Sequence, residues 1–462
     1  MTNAFVHPYI PNTAPETKAA MLAAVGASSI EEFYADVPAD LRLDRALDLP
    51  QPFVVEQDLL RHVGGLLAKN VPTGQRLNFL GSGTYDHYVP AVVDEVINRS
   101  EFLTAYAGEP YEDHGRFQAL FQYQSLMGEL LNQDVVNVPT YDGLQAAATS
   151  LAMAGRITGR RTVILASDCN PDKLSKVADF VAPSIDLVVV PTVGGVADVA
   201  AVTGLIDEAT AAVWVETPSR TGALETALAE LADAAHASGA LLVVGTDPIG
   251  LGVLTPPADL GADIVHGDIQ SLGLHQWFGG AHGGFIAVHD DTRFVMELPS
   301  RLFGLASTDV PGEYGFGDVA YERTSFAVRE DGKEWVGTAA ALWGIAAGVY
   351  LSLMGPQGMV EVGETILART AYAERALTAL PGVARSDSAV HFREFVIDLS
   401  AAGVRADAVV TALRARGIEP GVPIADHRLL VCVTEQNTQT DIDRLVAELA
   451  TVLGAAQKEK SA

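Results

Sequence analysis

Alternating strand and helix patterns over residues 162–245 constrain the fold more than any other feature of this sequence. The predicted strands cover Thr162–Ala166, Ile185–Pro191, Ala211–Glu216 and Leu241–Gly245. Helical patterns cover the segments between them, at 171–180, 199–206 and 223–238. Strands that are joined by helices in this way run parallel, through right-handed crossovers. We therefore predict an α/β fold with a mostly parallel sheet.

The stretch Leu241–Val288 gives the strongest indication of a functional site. Its first strand delivers Asp247 at its carboxyl end, where open α/β sheets bind ligands. Two short strands follow, Asp263–Val265 and Gly284–Val288. An Asp at one strand end and a Lys after a later strand are typical of pyridoxal-phosphate (PLP) enzymes, in which the Asp pairs with the pyridinium nitrogen and the Lys forms the Schiff base. Gln276 stands where the lysine is expected, so we predict no covalent PLP on this chain.

Composition and charge exclude several classes of protein. The formal net charge of −28 argues against nucleic acid or an anionic membrane as a partner. No apolar run reaches the roughly 18 residues of a membrane span, and no secretory signal is visible. Two cysteines are too few for a disulfide scaffold, and we expect a cytoplasmic protein. Of the seven lysines, Lys333 lies near a predicted loop of the site, and we expect it on the surface among acidic residues.

Two segments before residue 162 supply further candidate residues. The segment Phe79–Pro90, FLGSGTYDHYVP, places Tyr85 and His87 in a Gly-rich stretch, where they either line a substrate path or pack against the sheet. The turn TYDG (140–143) precedes an alanine-rich helix. Backbone N–H groups at a helix N-terminus bind phosphate, so Asp142 and Gly143 are candidates for a phosphate cradle.

Three histidines, His266, His275 and His282, lie in the same stretch as Asp247. Their spacings of nine and seven residues match no pattern of metal ligands, and we predict no metal site. His275 and His282 fit better as ring-stacking or polar-network residues. The candidate catalytic residues are therefore Asp247, His275, Gln276, Tyr85 and His87, and the candidate cofactor-binding residues are Asp142, Gly143, Asp247 and His282.

The order of patterns along the chain predicts its domains. We expect a helical N-terminal arm over 1–75 that packs on the body, and a large PLP-type domain over 76–335 that includes a loop-rich stretch at Arg301–Gly332. A smaller C-terminal α/β domain over 336–456 begins with two helical patterns, to Leu353 and over Gly358–Leu380. It continues with strands at Glu394–Ser400 and Arg428–Thr434, and a tail over 457–462 closes the chain.

Several segments together resemble one known family. They are PYIPNT near the N-terminus, FLGSGTYDHYVPAVVDEVINRSEFLTAY (Phe79–Tyr106), VVGTDPIGLGVLTPPADLGADIVHGDIQSLG (Val243–Gly273) and VTEQNTQTDIDRLVAEL (Val433–Leu449). They resemble subunit 1, the α subunit, of decarboxylating glycine dehydrogenase, which is the P-protein of the glycine cleavage system. The resemblance covers nearly the whole chain, and Phe79–Tyr106 is its most specific part.

The resemblance implies a fold-type-I PLP-dependent transferase-like structure whose α subunit has lost the Schiff-base lysine. It also implies an oxidoreductase of glycine catabolism, in which a partner β subunit (subunit 2) carries the PLP. Glycine is decarboxylated there, and the remaining aminomethyl group passes to the lipoyl arm of the H-protein. PLP supplies the electron sink for this chemistry.

The sequence departs from the family pattern in three loops, at 107–118, 274–284 and 329–338. All three are expected near an active site, so two other functions stay open. One is a stand-alone, homo-oligomeric paralogue that acts on another amino acid or amine. The other is a catalytically inert partner that only holds another protein. An adjacent gene for a β subunit would favour the glycine cleavage function.

Overall fold

The computed structural model describes residues 6, 9–45, 47–103, 114–323, 325–333, 336 and 340–461. The end of the family motif at 104–106, most of the loop 107–118 and part of the loop 329–338 lie outside the described residues. The chain divides into two compact units, Met1–Asn70 and Val71–Ala462. The domain boundaries that we expect near residues 75 and 335 stay predictions.

The first unit contains two helices, α1 (Pro15–Ala24) and α2 (Glu56–Leu67). Pro15 begins α1, where its fixed φ suits the first turn. Acidic side chains occupy the first turn of each helix, Glu16 in α1 and Glu56 with Asp58 in α2, and complement the positive end of the helix dipole. Among the described residues of this unit none is buried.

The second unit contains all the strands that the structure describes, together with the other helices. The strands are β1 (Leu77–Asn78), β2 (Val135–Val136), β3 (Thr162–Leu165), β4 (Asp186–Val189), β5 (Thr210–Thr217), β6 (Leu241–Thr246), β7 (Ile264–Asp268), β8 (Gly284–Val288), β9 (Leu302–Ser307), β10 (Tyr314–Val319), β11 (Ala384–Arg385), β12 (Glu394–Asp398), β13 (Ile418–Glu419), β14 (Val422–Ala425) and β15 (Arg428–Cys432). The helices are α3 (Ala91–Ile97), α4 (His114–Leu131), α5 (Gly143–Thr158), α6 (Pro171–Val181), α7 (Val199–Thr203), α8 (Leu228–Ala237), α9 (Thr292–Val295), α10 (Ser325–Val328), α11 (Ala341–Thr378), α12 (Ala406–Arg414) and α13 (Gln439–Ser461).

The main sheet has the strand order β2-β8-β7-β6-β5-β3-β4. Neighbours are parallel except at β8, which runs antiparallel to both β7 and β2. The strands β5 to β8 are almost entirely buried, because helices cover both faces of the sheet, and this is why their sequences are continuous apolar runs. The prediction of a mostly parallel α/β sheet is confirmed.

Alternate residues of the central strands face two separate cores. In β5, Val213 and Val215 pack with α4, α8 and α11 on one side. Ala212 and Trp214 point to the other side, where α5 and α6 lie. This division follows from the two-residue period of a strand. The alanine-rich buried face of α5 lies on the second core, where small side chains permit close packing of helix on sheet.

A smaller antiparallel sheet, in the order β11-β12-β15-β14, closes the C-terminal part of the unit and packs with α12 and α13. The strands β1 and β13 pair in parallel, with Leu77 opposite Ile418. Helix α13 runs to Ser461 and so extends into the segment predicted as a tail. Helix α11 contains one non-helical residue, Gly355, directly before Pro356, so it consists of two helical parts as the sequence predicts.

The prediction of a loop-rich stretch over Arg301–Gly332 was wrong in one part. The strands β9 and β10 form an antiparallel hairpin there, with Leu302 opposite Val319. Glycines interrupt both strands and most of their residues are exposed or half-buried, so the apolar alternation of a strand is weak. The turn sequence Pro311-Gly312, with Gly312 at positive φ, was the signal for the hairpin.

Candidate functional site

A polar pocket opens at the carboxyl ends of strands β3, β5, β6 and β7. This is the edge at which open α/β sheets bind ligands. The lining residues come from the loops after these strands, from the segment 82–85, from the start of α5 and from the segment before and at the start of β12. Those that carry polar side chains are Ser82, Tyr85, Asp168, Asn170, Lys173, Glu216, Ser219, Arg220, Thr246, Asp247, Asp268, Gln270, Ser271, Arg393 and Glu394.

Asp247 directly follows β6 and lies in this pocket. Its Oδ1 atom accepts hydrogen bonds from the Ser271 hydroxyl at 2.8 Å and from the Ile249 N–H at 3.2 Å. Its Oδ2 atom accepts a hydrogen bond from Nη2 of Arg393, with which it forms a salt bridge. Both carboxylate oxygens are therefore already engaged within the chain.

Arg393 joins three other groups around Asp247. Its Nη1 donates to Nε2 of His87 at 2.6 Å, and its guanidinium lies over the Tyr85 ring, 3.2 Å from the centroid. Since a guanidinium only donates, Nε2 of His87 accepts, and Nδ1 carries the proton that binds Glu435 Oε2 at 2.7 Å. Burial lowers the pKa of Arg393, but Asp247 and the neighbouring Tyr85, Cys432 and Glu394 together outweigh this effect and the pKa is raised.

Glu394 and Tyr85 form a second buried pair beside the first. The Tyr85 hydroxyl donates to Oε2 of Glu394 at 3.0 Å, and the Ser82 N–H donates to Oε1 at 2.6 Å. Burial raises the pKa of the Glu394 carboxyl, because the low dielectric disfavours the charged form. Burial likewise raises the pKa of the Tyr85 phenol.

Lys173 is the lysine that lines the pocket, and it is paired with an acid. Its Nζ lies 2.8 Å from both carboxylate oxygens of Glu216, which also accepts from Trp214 Nε1 at 2.9 Å. Burial lowers the pKa of Lys173, but the charge and hydrogen bond of Glu216, together with Cys169 and Asp268, outweigh this effect and the pKa is raised. A protonated, paired ammonium is not a nucleophile. Burial lowers the pKa of the adjacent His266 to about 3.

The start of α5 meets the end of β7 at the wall of the pocket. The Gly143 N–H donates to Oδ2 of Asp268 at 2.8 Å, and Asp142 caps the helix by accepting from the Gln145 N–H at 2.7 Å. His282 lies between Asp268, 3.0 Å from Nδ1, and the Thr84 hydroxyl, 3.1 Å from Nε2. Burial lowers the pKa of His282, but the hydrogen bond and charge of Asp268, together with the charge of Asp142, outweigh this effect and the pKa is raised.

The remaining candidates, His275 and Gln276, lie elsewhere. His275 is exposed and contacts Asp94 at 3.0 Å, and Gln276 is absent from the residues that line the pocket. The next residues, Trp277 and Phe278, both adopt positive φ, and Phe278 is 99% exposed. The structure brings Ser271, rather than Gln276, against Asp247. Lys333 also lies outside the pocket, where it pairs with Glu297.

The described residues of this pocket do not fit PLP. A Schiff base needs an uncharged lysine within the pocket, and the lysine that lines it is held by Glu216. The pyridinium partner, Asp247, is engaged by Arg393 and Ser271. The expected phosphate cradle at Gly143 faces a carboxylate, Asp268. Among its described residues, this pocket therefore offers neither a free lysine for a Schiff base nor a free position for the phosphate of PLP.

Within the part of the chain that the structure describes, no group of three or more His, Cys, Asp or Glu side chains is arranged to hold a metal ion. Both cysteines, Cys169 and Cys432, are buried and free. Cys169 lines the pocket, and burial raises its pKa to about 12, so its thiol stays protonated at neutral pH. Neither metal nor thiolate chemistry is supported here.

Sequence reasoning missed several residues of the pocket. The most important are Lys173, Glu216, Asp268, Arg393 and Glu394. Glu216 and Asp268 stand at strand ends like Asp247, and that position was a usable signal. Arg393 and Glu394 lie about 150 residues after Asp247, at the start of a strand in a different sheet, and no local pattern connects them to it.

A sequence model of the glycine cleavage system P-protein matches residues 7–449. The probable glycine dehydrogenase (decarboxylating) subunit 1 of Chlorobium limicola is 37% identical over 451 residues, which cover 96% of this chain and 99% of the relative. The protein of the same name from Carboxydothermus hydrogenoformans is 38% identical over 452 residues, which cover 96% of this chain and 99% of that relative.

Solved structures show the same relation and the same fold. A crystal structure of glycine decarboxylase (P-protein) of the glycine cleavage system, in inhibitor-bound form, is 35% identical with a TM-score of 0.83, over 95% of this chain and 98% of that chain. A sphingosine-1-phosphate lyase of Burkholderia pseudomallei has a TM-score of 0.64 at 15% identity, over 89% of this chain and 93% of that one. This second likeness shows a shared fold alone and confirms the predicted fold class.

Proposed function

The chain belongs to the glycine cleavage system P-protein family, and we propose that it acts as subunit 1 of a decarboxylating glycine dehydrogenase, an oxidoreductase. Its relatives are named subunit 1, which implies a subunit 2. In this proposal, subunit 2 carries the PLP, which supplies the electron sink for the decarboxylation of glycine. The aminomethyl group then passes to the lipoylated H-protein.

The pairing of the charged residues of the pocket with one another is the observation that supports a PLP site on subunit 2. Asp247 is bound by Arg393 and Ser271, and the lysine that lines the pocket is neutralised by Glu216. The acid and the lysine of this pocket that could serve a cofactor are therefore both engaged within the chain. The pocket of this chain is built as a network of internal ion pairs, and the chemistry belongs to another subunit.

An apolar groove between α3, α4 and α11 is the proposed contact with subunit 2. Val92, Val96, Phe102, Ile345, Val349 and Leu353 line it. Val92 is 43% exposed and Leu353 is 55% exposed. Permanent protein complexes bury large apolar surfaces of this kind. Helix α3 lies within Phe79–Tyr106 and α4 follows that segment, so these two helices, with α11, are our candidates for the interface.

Exchange of labelled bicarbonate into the carboxyl group of glycine tests the proposed function. We expect no exchange by this chain alone, because the lysine that lines its pocket, Lys173, is protonated and paired with Glu216 and so cannot hold PLP covalently. Together with its cognate subunit 2 and the lipoylated H-protein, the chain should restore the exchange. The matched control is subunit 2 with the H-protein but without this chain.

Two results would count against the proposal. Exchange by this chain alone would mean that it carries the chemistry itself, as a stand-alone paralogue would. Full exchange by subunit 2 without this chain would reduce the chain to an inert partner. Light scattering of the same samples shows in addition whether a hetero-oligomer or a homo-oligomer forms.

A further inference from the structure

The carboxylate of Asp268 lies directly against the N-terminus of helix α5. Its Oδ2 atom accepts the Gly143 N–H at 2.8 Å. A Cβ atom added at Gly143 would lie 2.9 Å from Cβ of Asp268 and 3.3 Å from its Oδ2 atom. The two residues are therefore in van der Waals contact, and no group as large as a phosphate fits between them.

Three other donors of this turn are also used within the chain. The Gln145 N–H donates to Oδ1 of Asp142 at 2.7 Å, and the Tyr141 N–H donates to Oε1 of Gln145 at 3.0 Å. The Thr140 hydroxyl donates to the Asp142 carbonyl at 3.0 Å. Backbone N–H groups and hydroxyls at a helix N-terminus are the groups that bind a phosphate. Here these three donors and the Gly143 N–H are hydrogen-bonded to acceptors within the chain.

Asp268 is itself held rigidly, as a bound anion would be. Its Oδ2 atom lies 3.0 Å from Nδ1 of His282, and its Oδ1 atom accepts the Gln270 N–H at 2.9 Å. Asp142 adds a second carboxylate to the same turn. A phosphate that approached this turn would meet like charges at short range in a partly desolvated site, which disfavours its binding.

We propose that Asp268 is a built-in replacement for the phosphate of a cofactor and makes this chain refuse phosphorylated ligands, PLP among them. The Asp268 carboxylate occupies the anion position at the start of α5 permanently. Asp268 is thus a specificity-determining residue that directs the cofactor to the other subunit. The inference rests on the proposed function only for the identity of the refused ligand, since the blocked position is a property of this chain alone.

Ligand binding to the purified chain tests this inference without any measurement of activity. Inorganic phosphate, PLP and unphosphorylated pyridoxal are titrated into the wild type, Asp268→Asn and Asp268→Ser by calorimetry. Asp263→Asn is the matched control. Asp263 precedes the same strand, β7, and its carboxylate accepts from the Leu242 N–H at 2.7 Å and contacts His236 at 2.8 Å. The side chains of Asp263 and Asp268 are 22% and 24% exposed.

We expect Asp268→Ser, which removes both the charge and the bulk of the carboxylate, to bind phosphate and PLP at least about tenfold more tightly than the wild type, a change that corresponds to about 1.4 kcal/mol. Asp268→Asn removes the charge but keeps the size of the side chain, so its gain should be smaller. Asp263→Asn should behave like the wild type, and pyridoxal should gain nothing in any variant. Equal binding of PLP by wild type and Asp268→Ser would overturn the inference, as would an equal gain for pyridoxal. If neither Asp268 variant keeps the wild-type unfolding transition, Asp268 is a structural cap and the inference fails.

If the chain refuses PLP as inferred but the bicarbonate exchange is not restored with subunit 2, the proposed function fails and the inference stands. If the exchange is restored while Asp268→Ser gains no phosphate binding, the inference fails and the proposed function stands. The two experiments therefore fail independently.

Discussion

Arg393 shows how much of the pocket depends on single residues. Its side chain is 3% exposed, and it contacts Asp247, His87 and Tyr85 at once. A guanidinium that is buried to this degree needs its counter-charge, because removal of one partner leaves an uncompensated charge in a low dielectric. The pair of Asp247 and Arg393 therefore stabilises the fold at the pocket, whatever the pocket binds.

Asp247→Asn tests this role against a catalytic one. We expect the free energy of unfolding to fall by about 3 kcal/mol, because Arg393 loses its counter-charge. The exchange activity of the folded heteromer should change little, since under the proposed function the working pyridinium partner lies on subunit 2. Urea unfolding and bicarbonate exchange measure the two quantities on the same preparation.

Asp186→Asn is the control for this change. Asp186 pairs with Arg161 at 3.4 Å, and both side chains are more than half exposed. An exposed pair of this kind contributes at most about 1 kcal/mol. If Asp247→Asn abolished the exchange without loss of folded heteromer, this chain would take part in the chemistry directly.

A second residue-scale prediction concerns pH. His391 is 3% exposed and lies 3.2 Å from Asp387 and 3.4 Å from Glu374. Burial lowers its pKa, but the two carboxylates outweigh this effect and raise the pKa above the ordinary 6.5. A raised pKa means that the stabilisation is complete below pH 6.5 and is lost as the pH rises through the folded-state pKa.

His391→Gln should therefore lower the urea midpoint most at pH 5.5 and less at pH 9, because the stabilisation by the protonated imidazole is lost as the pH rises through the folded-state pKa. Asp387→Asn in the wild-type background should flatten the same pH profile, because it removes one of the two carboxylates. A stability difference between wild type and His391→Gln that is the same at both pH values would contradict this account.

At the scale of helices and strands, the sequence was most informative where burial is simple. Strands β5 and β6 were predictable because both faces are covered, so each reads as an apolar run. Asp247 was predicted as a site residue because it directly follows β6, whose apolar sequence was recognisable. The hairpin of β9 and β10 was not predicted, because its glycines and exposed residues remove the alternation of apolar and polar residues that is typical of a strand. Arg393 was not predicted as a site residue, because only the tertiary fold brings it close to its partner, Asp247.

The interruption of α11 gives a prediction at this scale. Gly355 has φ +58° and ψ −178°, a conformation that is open to glycine and strained for other residues. No heavy atom lies within 4 Å of a Cβ built there, so any cost of a side chain comes from the backbone alone. We expect Gly355→Ala to lower the free energy of unfolding by roughly 1–3 kcal/mol, measured by urea titration.

Gly454→Ala is the matched control for Gly355→Ala. Gly454 lies within α13 and likewise has no heavy atom within 4 Å of a built Cβ. Its backbone is helical, so alanine should stabilise the protein by up to about 1 kcal/mol. If the two variants shifted stability in the same direction, the strain at Gly355 would not be real.

At the scale of the whole molecule, the apolar groove between α3, α4 and α11 predicts assembly with subunit 2. Leu353→Asp places a charge in the groove at a residue that is 55% exposed. We expect this change to weaken the complex by at least about tenfold, because a buried unpaired carboxylate costs more than 1.4 kcal/mol. Light scattering and calorimetry with subunit 2 measure the loss.

Leu205→Asp controls for the added charge, because Leu205 is 48% exposed and does not line the groove. This variant should bind subunit 2 like the wild type. Equal binding by both variants would mean that the interface lies elsewhere on the surface.

Among the helices of the described residues, none is both long and apolar enough to cross a membrane.

The pairing of β1 with β13 has a consequence for synthesis in the cell. Leu77 lies opposite Ile418, so the first strand of the second unit pairs with a strand that leaves the ribosome about 340 residues later. At a translation rate of roughly 5–20 residues per second, this delay is on the order of 20–70 s. During that time the Gly-rich segment after β1 lacks Arg393 and Glu394 as partners. The pocket is thus among the last features to form on the nascent chain, and a truncated product would expose apolar surface to chaperones.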